Sequence, residues 1–204
     1  MTFNEFNFKE QLQDAIESAG FKEPSPIQEE AIPIVLSGKD MVGQAHTGTG
    51  KTAAFGLPVL NMMKGQNGVE AVVIVPTREL AMQVSDELFR FGKNLNLNTA
   101  TVYGGQSYST QLRNIERASI IVATPGRFFD LLRGGKINIK PSFVILDEAD
   151  EMLDMGFLDD IKEIFTFLPA ERQTLLFSAT MPQAIKNLAQ KILKDPAFEK
   201  KKKK

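Results

Sequence analysis

The sequence predicts an α/β domain, a mostly parallel β-sheet with helices on both faces. Three observations carry this. Short apolar, β-branched runs recur as AVVIV, TATVY, SIIVA, FVILD and TLLFS, beginning at Ala71, Thr99, Ser119, Phe143 and Thr174, and a turn signal and a helical pattern follow each. Strands alternating with helices in this way build βαβ units on a parallel sheet. The runs are also nearly continuous in apolar residues, as strands covered on both faces are. Finally, the 204 residues contain no internal repeat and no linker, enough chain for one domain with a sizeable core.

Taken in order, LQDAIESA, Leu12 to Ala19, reads as a short helix. In GFKEPSPIQ, Pro24 and Pro26 force an extended turn. EEAIPIVLSG then resumes helix, with Pro33 tolerated in its early turns and Gly38 as the stop. DMVGQA ends a strand, and AAFGLPVLNMM begins a helix after Thr52. ELAMQVSDELFRF, Glu79 to Phe91, places Leu80, Val84, Leu88 and Phe91 on one face, and IKNLAQKIL does the same with Ile185, Leu188, Ala189 and Ile192. The expected organisation is one domain over residues 1–198, its first 40 residues forming an N-terminal flank. Residues 199–204 form a Lys-rich tail, read as disordered, with a basic RNA anchor as the alternative.

Composition narrows the chemistry. The absence of Cys excludes disulfides and thiolate metal sites, and the single His, His46, cannot build a zinc site alone. No apolar run approaches a membrane span, and MTFNEFNFKE lacks the basic start and apolar core of a signal peptide. A cytoplasmic protein without a membrane partner is expected. Setting aside the five terminal lysines leaves 19 basic against 25 acidic residues. A body this acidic does not bind nucleic acid through bulk charge and would need a few placed groups.

Ligands in parallel α/β folds sit at the carboxyl ends of strands, and every unusual motif here falls there. AHTGTGKT, Ala45 to Thr52, lies between a strand and a helix and ends as a phosphate-binding loop does, although its leading glycine position holds Ala45. Gly48 and Gly50 let successive N–H groups curl around one anion, and the helix N-terminus adds a favourable dipole. Lys51 would meet the β- and γ-phosphates and Thr52 would hold Mg²⁺. In VILDEAD, Asp147 closes a strand as the second Mg²⁺ group should, and Glu148 beside it can polarise a water for in-line attack.

Asp147 to Asp150 spells DEAD. The chain resembles the N-terminal RecA-like domain of a DEAD-box ATP-dependent RNA helicase of bacterial type, over nearly all of residues 1–198. The resemblance implies a RecA-like P-loop NTPase fold. In that family the loop is written A-x-T-G-[ST]-G-K-T, so Ala45 is expected and His46 falls at a variable position. The nucleotide set is then Ala45, His46, Thr47, Gly48, Thr49, Gly50, Lys51 and Thr52, with Lys51, Asp147 and Glu148 catalytic. GFKEPSPIQ resembles the Q motif ending in Gln28, whose amide both donates and accepts, as adenine requires. Phe3 stands where the family carries an aromatic that stacks on the base, with Phe21 as a nearby rival.

PTREL from Pro76, the pair Gly104 and Gly105, and TPGR from Thr124 resemble motifs Ia, GG and Ib. They offer Thr77, Arg78, Thr124 and Arg127, with the N–H groups of Gly105 and Gly126, to an RNA backbone without reading bases. SAT, Ser178 to Thr180, resembles motif III and with Asp150 couples nucleotide to RNA; Thr180 is also a candidate helix cap. The resemblance implies ATP or ADP with Mg²⁺, RNA as partner, and a second RecA-like domain supplying arginine fingers. By itself the chain is expected to be monomeric and to turn over poorly. A stand-alone nucleotide and RNA binding module, or another P-loop enzyme such as a small-molecule kinase or GTPase, are the alternatives.

Overall fold

The computed structural model describes residues 1–46, 48–66 and 68–199. The N-terminal flank holds a 3-10 turn, Phe3–Phe6, then α1 (Glu10–Ser18) and α2 (Pro26–Leu36). Strand β1 (Met41–Gln44) leads into α3 (Lys51–Met62), β2 (Ala71–Ile74) into α4 (Arg78–Gly92), and β3 (Thr99–Val102) into α5 (Tyr108–Glu116). The chain continues through β4 (Ile120–Ala123), α6 (Pro125–Arg133), β5 (Phe143–Leu146), α7 (Ala149–Asp154) and α8 (Leu158–Thr166). It closes with β6 (Gln173–Ser178), α9 (Gln183–Ile192) and β7 (Ala197–Glu199).

Among the described residues the strands form one seven-stranded sheet, ordered β3-β4-β2-β5-β6-β1-β7, and each neighbouring pair is parallel. Side chains alternate between its two faces. Met41, Val73, Val122, Ile145, Leu175 and Phe177 pack towards α1 to α4, with Ile32, Phe55 and Phe91. Val42, Val72, Ile121, Val144 and Leu176 pack the other way, against Phe128, Ile161, Ile164, Ile185 and Leu188 of α6, α8 and α9. Burial on both faces is the reason these strands carry unbroken apolar runs. β1 carries Gly43 because a Cβ there would lie 2.7 Å from the Phe177 ring of β6.

Several expectations shift in detail. Pro26 does not extend the turn but opens α2 as its first residue, which suits its fixed φ and missing N–H. Pro33 lies well inside that helix rather than in its early turns. Pro182, not Thr180, precedes α9, so Thr180 is not its cap. β7 runs through Glu199, one residue past the expected domain boundary, while Lys200 to Lys204 lie outside the described residues.

Candidate functional site

Because the strands are parallel, the segments following β1 to β6 all emerge at one end of the sheet. Gly48 and Gly50 both take left-handed backbone, with φ of 86° and 84°, and Gly50 is the N-cap of α3. Ala45 is buried and has no positive φ, so a methyl group fits there. Thr52 lies half-buried in the first turn of α3, and His46 is exposed. Thr47 lies outside the described residues.

Lys51 is the centre of the site. Its Nζ lies 2.9 Å from Asp147 Oδ1 and 3.5 Å from Glu148 Oε1, with the lysine and Asp147 side chains only 6% and 0% exposed. The contact to Oδ1 is an ion pair, and beyond Lys51 and the Glu148 N–H the Asp147 oxygens have no partner among the described residues. Burial pushes the Asp147 carboxyl up from the ordinary range, and attraction to Lys51 only partly opposes this. Glu148 turns the chain from β5 into α7 with φ of 58°, a left-handed conformation unfavourable for a side chain with a Cβ. Such strain costs on the order of 1–3 kcal/mol and gathers at working sites. A hydrogen bond with Glu148 raises the Glu151 carboxyl, and burial adds to it. Ala45, His46, Lys51, Glu148, Asp150 and Ala179 help line an open pocket of about 170 Å³.

Ser25 and Gln28 form a capping box at the start of α2: the Gln28 Oε1 accepts the Ser25 N–H at 2.9 Å. The same two side chains reach the phosphate loop. Ser25 Oγ donates to the Thr49 carbonyl at 3.0 Å, and Gln28 Nε2 to the Gly50 carbonyl at 3.0 Å. Gln28 is 2% exposed. Its amide keeps one N–H and one lone pair beyond these bonds. The sequence signal for this is the S-x-x-Q spacing from Ser25 to Gln28, which the flanking prolines mask. Phe3 is 2% exposed and packs edge-on to Phe6 and Phe21, with centroids 6.1 and 6.0 Å away. It belongs to the core, so base stacking has no open face of that ring to rest on here. Phe21 is half-buried against Phe3 and Phe91.

Asp150 joins α7 to the end of β6. Its Oδ2 accepts from Thr180 N at 3.0 Å and Thr180 Oγ1 at 2.8 Å, and its own N–H donates to Ser178 Oγ at 3.1 Å. Ser178 Oγ in turn donates to the Thr180 carbonyl at 2.7 Å. Burial disfavours the Asp150 anion, yet the bonds from Thr180, Ser178 and Glu151 outweigh it and hold the carboxyl below its usual range.

A second group of side chains lies along β2, β3 and β4. Thr77 caps α4 by accepting the Leu80 N–H at 3.2 Å, and exposed Arg78 lies 4.7 Å over the Tyr103 ring. Gly105 has φ of 92°, Thr124 is the N-cap of α6, and Gly126 lies in that helix's first turn. Arg127 lies 4.0 Å over the Tyr108 ring and donates through Nη1 to the Gln106 carbonyl at 2.9 Å and to Gln111 Oε1 at 2.8 Å. Tyr103, Gln106, Tyr108 and Gln111 belong to no motif, so nothing in the sequence marks them.

Residues 25–188 match the family model described as DEAD/DEAH box helicase. The chain is 56% identical over 197 residues to the DEAD-box ATP-dependent RNA helicase RhpA of Helicobacter pylori, covering 96% of this chain and 40% of that protein. It is 52% identical over 199 residues to the DEAD-box ATP-dependent RNA helicase CshA of Streptococcus pneumoniae, covering 96% and 38%. The crystal structure of a DEAD box protein from the hyperthermophile Methanococcus jannaschii superposes with a TM-score of 0.94 at 43% identity, over 98% of this chain and 55% of that one. The chain thus spans about 40% of the length of these curated relatives.

Proposed function

The chain belongs to the DEAD/DEAH box helicase family, and on that premise we propose that it is the nucleotide-binding half of an ATP-dependent RNA helicase working in the cytoplasm. The observation that carries this is Lys51, buried between Asp147 and Glu148 at the mouth of a left-handed glycine loop. The loop N–H groups and the α3 N-terminus favour a phosphate, and the Lys51 ammonium has an anion to exchange for it. Phosphate arriving at the loop draws Lys51 away from Asp147. That leaves a buried carboxylate with both oxygens open, which suits a divalent cation. Among the described residues no cluster of three or more His, Asp or Glu could hold a metal alone. The fit is therefore to Mg²⁺, which is held by one or two protein groups together with phosphates and water. Asp147 and Thr52 are the groups proposed to hold it, and when bound it neutralises charge developing on the phosphates.

Glu148 orients the attacking water and takes up its proton. Gln28 uses its remaining donor and acceptor on adenine and reports occupancy to the loop through the Gly50 carbonyl. Thr77, Arg78, Gly105, Thr124, Gly126 and Arg127 hold the RNA backbone, and the Asp150, Ser178 and Thr180 network links that side to the nucleotide. Charge stabilisation by arginine fingers, each worth about 10³–10⁵ in rate in related hydrolases, is assigned to a second RecA-like domain. Joined to it, this domain would couple hydrolysis to local duplex opening.

Steady-state ATP hydrolysis by this chain with and without single-stranded RNA, beside Mg²⁺-ADP binding, tests the reading. Binding without appreciable turnover is expected. Robust RNA-stimulated turnover would overturn the division of labour, and undiminished Mg²⁺-ATP binding by Lys51→Ala would overturn the phosphate loop itself. Unchanged ADP affinity in Gln28→Ala would remove the adenine role.

A further inference from the structure

We propose that Gln111 is a positioning residue of the RNA-backbone site, aiming Arg127 and setting the loop that carries Gly105. The inference rests on the reading that Arg127 grips RNA.

Gln111 is 1% exposed in α5, and its amide is the junction of three segments. Its Oε1 accepts from Arg127 Nη1 at 2.8 Å, while its Nε2 donates to the Tyr103 carbonyl at 2.7 Å and to Gln106 Oε1. The orientation of the amide is fixed by chemistry. Turned over, it would set an N–H against the guanidinium and a carbonyl oxygen against the Tyr103 carbonyl. Gln106 is gripped at both ends, its side chain by Gln111 and its backbone carbonyl by Arg127 at 2.9 Å. The turn holding Gly105 at φ of 92° is therefore fixed from the residue after it.

The same contacts define what Arg127 has left. Both Nη1 hydrogens are engaged, by Gln106 and Gln111, and the Tyr108 ring covers one guanidinium face at 4.0 Å. The Nε and Nη2 donors have no partner among the described residues. They lie along one edge of the planar fork, the edge that meets two phosphate oxygens at once. Without Gln111, the guanidinium loses the acceptor that sets this edge, and a flexible side chain must be ordered at the moment of binding.

The test is a double-mutant cycle on this chain, with affinity for a labelled single-stranded oligouridylate read by anisotropy at low salt. Gln111→Met and Arg127→Ala should each weaken binding roughly five- to tenfold, as loss of one ordinary hydrogen bond does. The double variant should be no more than about twofold weaker than Arg127→Ala, because residues acting through one contact are not additive. Mg²⁺-ADP binding should be unchanged throughout. Wild-type RNA affinity in Gln111→Met, or a double variant showing the product of both losses, overturns the proposal. If Arg127→Ala also binds as wild type, the RNA reading of Arg127 falls with it. If Arg127→Ala weakens binding and Gln111→Met does not, the positioning role alone falls.

Should Gln111→Met lose ADP binding, Gln111→Asn replaces it. It keeps the donor and the acceptor of the amide but is one methylene short, so it cannot reach Tyr103, Gln106 and Arg127 together. RNA affinity should fall severalfold with ADP binding intact, and wild-type RNA affinity in Gln111→Asn overturns the proposal.

Discussion

Two buried aspartates stand at opposite ends of the same sheet, Asp40 just before β1 at 7% exposure and Asp147 just after β5 at 0%. Asp40 is fully engaged. Its oxygens accept the N–H groups of Thr174 at 2.8 Å and Lys194 at 2.7 Å, and its carbonyl accepts that of Ala197 at 2.9 Å. Asp147 leans on Lys51 and the Glu148 N–H alone among the described residues, and neither contact reaches full hydrogen-bond geometry. The first carboxylate fastens β6 and the segment ahead of β7 to the start of β1. The second is a cost to the folded chain, and buried polar atoms are rarely left in this state without a reason. The comparison separates a carboxylate whose bonds hold the fold from one that the fold leaves poorly partnered.

The largest effect should come from Asp147→Asn. On the proposed reading, Mg²⁺ no longer tightens nucleotide binding, a loss of about 100-fold or more for a contact worth several kcal/mol. Calorimetric titration of ADP with and without Mg²⁺ reads it. Urea unfolding of the same variant should show no loss of stability at neutral pH. Asp40→Ala should behave oppositely. Two buried N–H groups lose their acceptor, so unfolding should show a loss of roughly 2–4 kcal/mol, with nucleotide affinity intact.

A smaller difference lies in pH. The folded Asp147 pKa is raised, chiefly by burial. Its contribution to stability is therefore present below the unfolded carboxylate pKa and lost as pH rises through the folded one. The stability advantage of Asp147→Asn should grow over that interval and then level off. Asp150 has the other sign. Its folded pKa is lowered, so what it adds is present above the unfolded pKa and lost as pH falls through the folded one. Unfolding curves for the two single Asn variants across the acid range should diverge in these directions. The smallest effect is Thr180→Val, which removes one exposed hydroxyl bond to Asp150 and should cost about 1 kcal/mol or less. Its clearer signature is an Asp150 carboxyl moved back towards the ordinary range, read by NMR titration.

The parts of this molecule legible in the sequence are those dictated by local pattern. AVVIV and FVILD read as strands because both faces are buried, and the apolar faces of α4 and α9 follow helical spacing. AHTGTGKT and DEAD announce themselves because backbone curl, ammonium and carboxylate are needed at fixed spacing. What stayed hidden depends on distant partners. β7 has three residues and no pattern of its own, and exists through pairing with β1. Thr180 read as a cap because its real partner, Asp150, lies 30 positions away. Phe3 looked free at a chain end, and only the fold shows Phe6 and Phe21 around it. Gln111 gave no signal, since a glutamine in a polar helix looks solvated until a half-buried guanidinium is set beside it.

β7 also bears on how this domain can be trimmed. It covers the outer side of β1, pairing Met41 with Ala197 and Val42 with Phe198. Deleting residues from 197 onward would strip that cover and expose a row of unpaired backbone groups on the strand that feeds the phosphate loop. An uncovered edge of this kind is a template for another chain. A shortened domain would be expected to self-associate through β1 during expression, and aggregation would then be mistaken for a failure to fold.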